Sequence, residues 1–162
     1  MNGKPFTIYK FRTMFAPSQD EPWYRTDARR LTPLGHFLRK FSIDELPELY
    51  NVILGDMSVV GPRPLLLAYL GKYTDDEMQR HCVRPGITGL AQVSGRQNLP
   101  FSKRLKLDVQ YVKEWSLLLD AKILLKTVTA VFKSTGVISG QDLDEVDDLG
   151  LSADRARTRK DR

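Results

Sequence analysis

The sequence predicts a small, single-domain α/β (α+β) fold, mostly helical, with a short β element and amphipathic helices at its surface. Three observations carry this prediction. The stretch Phe6 to Met14 (FTIYKFRTM) places Phe6, Ile8 and Lys10 on one face of a strand and Thr7, Tyr9 and Phe11 on the other. Several later segments repeat apolar residues at helical spacing, the longest being Leu117 to Phe132. The chain has 162 residues, 41% hydrophobic and 28% charged, which suits one core rather than two and excludes a disordered chain.

After the strand, Pro17, Ser18, Asp20, Pro22 and Asp27 break any periodicity and predict an exposed loop from Ala16 to Asp27. Thr32 and Pro33 then predict a helix start, with Thr32 as N-cap, Pro33 at the first helical position and Leu34, Phe37, Leu38 and Phe41 at helical spacing. A second helix is expected from Ser42, whose Glu45 three residues on matches a capping box, with Pro47 marking a kink or a later start. Leu65 to Tyr73 and Asp75 to Cys82 read as helix, turn and short helix, with Thr74 capping toward Glu77. The glycines and arginines of Arg84 to Arg96 (RPGITGLAQVSGR) read as a loop whose backbone approaches a ligand. Lys103 to Trp115 and Leu117 to Phe132 complete the helices. An acidic run (Asp142 to Asp148) and a basic end (Arg155 to Arg162) predict a charged, flexible tail, so the body is assigned to residues 1–138 and the tail to 139–162.

A net charge of +5 favours anionic partners. Nucleic acid is not among them, because the arginines are tied into glycine-proline turns and no recognition helix or aromatic platform is evident. Cys82 is the single cysteine, which excludes an intrachain disulfide, and it reads as a small packed residue. His36 and His81 read as surface or packing residues, and Trp23 and Trp115 as membrane-interface anchors or ordinary core. No stretch approaches the roughly eighteen apolar residues of a membrane span, and the first residues are not a signal peptide. Amphipathic faces with positive charge nevertheless suit a bilayer surface.

The most informative stretch runs from Phe41 to Asn51 and on to Gly61-Pro62-Arg63-Pro64. It gathers two adjacent carboxylates, Asp44 and Glu45, a preceding Arg39-Lys40 pair and an arginine fixed between prolines. Adjacent residues on a helix point about 100° apart, so the two acids do not stack, yet they can converge on one ion or phosphate at a helix end. At the start of a helix they would share its free amides and dipole with a phosphate.

FTIYKFRTM, the Asp44-Glu45 run through Gly61-Pro62-Arg63-Pro64, and RPGITGLAQVSGR, in this order and spacing from about Gly3 to about Gly136, resemble the bacterial sugar transferase family, the monotopic polyprenyl-phosphate phosphoglycosyl transferases. The resemblance implies an enzyme on the cytoplasmic face of the inner membrane. It would move a sugar 1-phosphate from a UDP-sugar to polyprenyl phosphate and release UMP, the opening membrane step of surface polysaccharide synthesis. It further implies that Asp44 is the nucleophile, forming a covalent aspartyl phosphosugar, and that Mg2+ is required. The family carries an N-terminal hydrophobic helix that dips into one leaflet; this sequence opens almost at FTIYKFRTM and reads as lacking that hairpin.

A carboxylate nucleophile splits the transfer into two displacements at phosphorus, and its repulsion from a diphosphate must be screened by a metal ion and cations. Asp44 and Glu45 are the expected metal ligands, a number that suffices for Mg2+ completed by phosphates and water. Arg63 offers a pre-organised fork to phosphate, and Arg39, Arg96, Lys10 and Arg12 are the further expected substrate contacts. Asp108 and Tyr111, in LDVQYV, match a family position and are expected to orient substrate. The competing reading is a catalytically incomplete remnant that binds a membrane surface or a partner.

Overall fold

The computed structural model describes residues 3–16, 30–95, 99–132 and 147–150. The predicted loop from residue 17 onward, Trp23, Arg96 and, apart from 147–150, the tail lie outside the described residues.

Two short parallel strands form the sheet, β1 (Ser58–Val60) and β2 (Gly86–Thr88), with Ser58 opposite Gly86 and Val60 opposite Thr88. Parallel neighbours require a crossover, and residues 61–85 supply it through a 3-10 turn (Leu67–Lys72), α3 (Asp75–Met78) and a second 3-10 turn (Gln79–Cys82). The Thr74–Glu77 capping box is present: Glu77 Oε2 accepts the Thr74 N–H at 2.8 Å, and Thr74 Oγ1 accepts the Glu77 N–H at 3.3 Å.

Within RPGITGLAQVSGR, read from the sequence as a loop, Gly86–Thr88 form β2 and Leu90–Gly95 form α4. The glycines of this stretch serve strand packing. A Cβ on Gly86 would lie 2.1 Å from the Gly61 nitrogen, and one on Gly89 would lie 2.1 Å from the Gly61 oxygen.

The strand expected over Phe6 to Met14 does not form: residues 4–13 take no regular secondary structure, and Met14 alone makes an antiparallel bridge, to Leu31. The polar groups of this segment find other partners. The Asn51 side chain accepts the Tyr9 N–H at 3.1 Å and donates to the Thr7 carbonyl at 2.7 Å, and the Phe11 N–H donates to the Asp44 carbonyl at 3.0 Å. Asn51 is fully buried, so one side chain does the work of a neighbouring strand.

α1 (Pro33–Lys40) begins as predicted, with Thr32 Oγ1 accepting the Gly35 N–H at 2.8 Å and Pro33 in the first turn. It lies so close to the N-terminal segment that a Cβ on Gly35 would stand 2.0 Å from the Thr13 oxygen. α2 (Glu48–Ile53) follows Pro47, which separates it from a 3-10 turn at Ile43–Glu45. α5 (Phe101–Glu114) and α6 (Leu117–Phe132) build the core: Tyr111 clusters with Val60 and Ile123, with Leu90, Val93 and Leu119 packed around them, and Leu105 and Val109 of α5 are buried as well.

The apolar stripe of α1 faces outward: Leu34, Phe37 and Phe41 are all exposed. Leu46, Leu49, Ile53, Leu117, Leu118 and Leu125 are exposed too, which is unusual for large aliphatic side chains in such number. Trp115 is exposed rather than core, and Cys82 is exposed rather than packed because it ends a 3-10 turn at the surface. Among the described residues no helix is long and apolar enough to cross a membrane.

Candidate active site

Ser42 does not cap a helix. It takes a left-handed conformation (φ 56°), its side chain makes no capping bond, and its N–H donates to the Arg39 carbonyl at 3.1 Å. Ser42 therefore closes α1, in the role a glycine often fills. The Glu45 carboxylate, which a capping box would use, is drawn to two cations instead; charge-assisted bonds outcompete a neutral amide. Asp44 and Glu45 thus sit on a three-residue 3-10 turn, and the positive field around them comes from side chains rather than from a helix dipole.

Glu45 Oε1 accepts from Lys10 Nζ at 2.8 Å and from Arg63 Nη2 at 2.5 Å. Burial alone would raise its pKa, but Arg63 and then Lys10 outweigh that and lower it to about 2. Lys10 Nζ also pairs with Glu48 Oε1 at 2.9 Å. Glu48 is buried, and its pKa is raised because desolvation exceeds the pull of Lys10. The Asp44 carboxylate accepts no hydrogen bond from another residue among the described residues. Burial and the neighbouring Glu45 raise its pKa, opposed by Lys10 and Arg39. Three carboxylates and three cations, Lys10, Arg39 and Arg63, are thereby gathered from the N-terminal segment, α1, the 3-10 turn, α2 and the proline turn.

Two further residues hold Arg63 in place from behind. Arg80 Nη2 donates to the Arg63 carbonyl at 2.6 Å, while its Nε and Nη2 donate to Asp108 Oδ2 at 3.1 and 2.8 Å. Arg80 and Asp108 are both buried, and burial raises the Asp108 pKa against the pull of Arg80. Asp108 hence faces Arg80 rather than an open substrate space. Tyr111 turns elsewhere, donating to Asp120 at 2.8 Å, and burial followed by that bond raises its pKa. Arg39 donates through Nε to Thr13 Oγ1 at 3.0 Å. Arg12 is exposed and makes no bond to the cluster.

The sequence reading missed Glu48, Arg80 and Asn51. Glu48 had a signal: it lies four residues after Asp44, a spacing that brings side chains together on a helical path. Arg80 and Asn51 carried none, since both act across long sequence separations.

Among the described residues no group of three or more His, Cys, Asp or Glu side chains is arranged as a metal cage. The donor set that remains consists of Asp44 and the second oxygen of Glu45. These are hard oxygen donors, and they fit an ion that takes one or two protein carboxylates and fills its shell with phosphate and water.

The profile of the bacterial sugar transferase family matches residues 1–134. The chain belongs to that family. Among similar sugar transferases, EpsL of Bacillus subtilis, described as an uncharacterized sugar transferase, is 52% identical over 137 residues, covering 85% of this chain and 68% of EpsL. The undecaprenyl-phosphate galactose phosphotransferase of Salmonella typhimurium is 41% identical over 152 residues, covering 83% of this chain and 32% of that protein. The UDP-glucose:undecaprenyl-phosphate glucose-1-phosphate transferase of Klebsiella pneumoniae is 41% identical over 138 residues, covering 79% of this chain and 30% of that protein. The chain thus spans about a third of those two longer sugar transferases.

Proposed function

We propose that this chain transfers a sugar 1-phosphate from a UDP-sugar to polyprenyl phosphate, with UMP as the leaving product. The observation that carries the reading is Asp44, a carboxylate that accepts no hydrogen bond from another described residue and lies beside Lys10 and Arg39, within a cluster whose other acids are paired. An Asp44 oxygen attacks the phosphorus that bears the sugar. A carboxyl–phosphate bond forms, the pyrophosphate bond breaks, and UMP departs with the bonding electrons. A polyprenyl phosphate oxygen then attacks the same phosphorus, and Asp44 leaves as a carboxylate.

Lys10 and Arg63 neutralise the diphosphate, and Arg39 offsets the charge of the nucleophile. Asp44 and Glu45 would hold Mg2+, which when bound supplies charge neutralisation at the phosphates. The exposed apolar residues of α1, α2 and α6 rest on the cytoplasmic surface of the membrane, which brings the cluster to a lipid phosphate.

The test is UMP release from a panel of UDP-sugars, with polyprenyl phosphate in vesicles and Mg2+ present. Release that depends on Asp44 and on the lipid phosphate supports the reading. UDP-sugar binding without any release would mean that the chain binds the donor but is not a transferase.

A further inference from the structure

We infer that Glu48 is a positioning residue that anchors Lys10 from the protein interior, so that its ammonium stays at the diphosphate when Glu45 is drawn to a metal ion or substrate. This rests on the reading of Lys10 as a diphosphate contact. The Lys10 ammonium has three donors and, among the described residues, pairs with two acids, Glu48 at 2.9 Å and Glu45 at 2.8 Å. The third remains for a ligand on the exposed side, where the Lys10 side chain keeps 34% of its surface.

The two acids differ in what they can do. The Glu45 side chain is 19% exposed and divides one oxygen between Lys10 and Arg63, so it can exchange these partners for an incoming ion. The Glu48 side chain is 2% exposed and, among the described residues, bonds to Lys10 alone. Water cannot replace that partner, and a buried carboxylate without one is costly. Glu45, Arg63 and Lys10 are the charged groups that face it. The long, flexible lysine stem is thus pinned at its tip by a group that stays where it is, and the ordering of a mobile cation is complete before substrate arrives.

The experiment compares wild type, E48Q, K10M and K10M/E48Q as full chains. UDP-sugar affinity is measured by calorimetry, and KM and kcat by UMP release. E48Q keeps the shape and an acceptor but loses the charge. It is expected to weaken affinity and raise KM by on the order of tenfold, with kcat changed less than about threefold. In the K10M background E48Q should add no further loss, because the lysine it anchors is gone. Equal affinity of E48Q and wild type, or a loss that adds fully to that of K10M, overturns the proposal, as does a fall in melting temperature with affinity unchanged. If wild type binds UDP-sugar but releases no UMP, the transfer reading fails while the affinity series still decides the role of Glu48. If wild type binds no UDP-sugar, both fail.

Discussion

Arg80 donates to the backbone carbonyl of Arg63 at 2.6 Å, which ties the arginine that neutralises Glu45 to the buried Arg80–Asp108 pair. The proline turn alone fixes the local shape of residues 62–64; this bond fixes where the turn sits. Unlike Asp44, Asp108 is the direct partner of a buried cation, and Asp108→Asn leaves Arg80 with an uncharged acceptor only, which should lower stability. Denaturant titration reads that loss. UMP release by the fraction still folded should fall as well, because Arg63 loses its support from behind. Wild-type stability in D108N would show that the pair contributes nothing to holding the turn.

Asp44→Asn should remove UMP release by at least roughly 10³-fold, since no other carboxylate in the cluster lacks a cation partner. The same change should not destabilise the protein. Burial raises the Asp44 pKa, so the folded chain carries an ionised group that it would rather keep protonated. For a raised acid the folded state gains as pH falls, and the neutral asparagine should therefore melt at or above the wild-type temperature at pH 7. A marked drop in melting temperature would contradict this account of the site.

Glu45 behaves in the opposite sense. Its pKa falls from the ordinary 4.5 to about 2 in the fold, so the unfolded chain takes up the proton first as pH decreases. The stability from this carboxylate is whole above about pH 4.5 and disappears as pH approaches 2, an amount of about 3 kcal/mol. Glu45→Gln should lose a similar amount at pH 7 and show a flatter acid limb in stability against pH. Identical acid limbs for the two proteins would rule this contribution out.

The helical half of the fold was legible because its signals are local. Thr32-Pro33, Thr74 with Glu77, and the spacing within Leu117 to Phe132 each state their structure within a few residues. The N-terminal segment was misread: its alternation predicted a strand, but no neighbouring strand pairs with it, and nothing nearby said that Asn51, more than forty residues on, would hold its backbone instead. Ser42 misled because the capping-box pattern is also satisfied by a residue that ends the preceding helix while its glutamate pairs elsewhere. The cluster around Asp44 was legible as residue types, whereas its wiring through Glu48 and Arg80 depends on tertiary approach.

Gly35 joins α1 to the segment that carries Lys10. A Cβ there would stand 2.0 Å from the Thr13 oxygen, a backbone atom that cannot swing aside. Gly35→Ala should push α1 away from residues 12–14, break the Thr32 N–H to Thr13 carbonyl bond of 3.1 Å, and cost about 1 to 3 kcal/mol. Amide exchange at Thr32 reads the opening directly. Unchanged protection there would mean that the two segments are not held as closely as their geometry requires.

The exposed stripe of α1 makes a separate prediction about lipid. Leu34, Phe37 and Phe41 share one face, with the Phe37 and Phe41 ring centroids 5.1 Å apart, and Arg39 and Lys40 follow in the last turn. Leu34 is 67% exposed and Phe37 51%, so replacing them by serine removes little from the core and should leave the melting temperature within a few degrees of wild type. Each side chain forfeits up to about 1.5 to 3 kcal/mol on complete transfer from water, so even partial insertion makes the double change worth tenfold or more in partitioning. Co-sedimentation with vesicles containing anionic phospholipid measures it, and the loss should persist at high salt, where attraction between the basic residues and the headgroups is screened. Equal partitioning of L34S/F37S and wild type at high salt would exclude α1 as a membrane-contacting face.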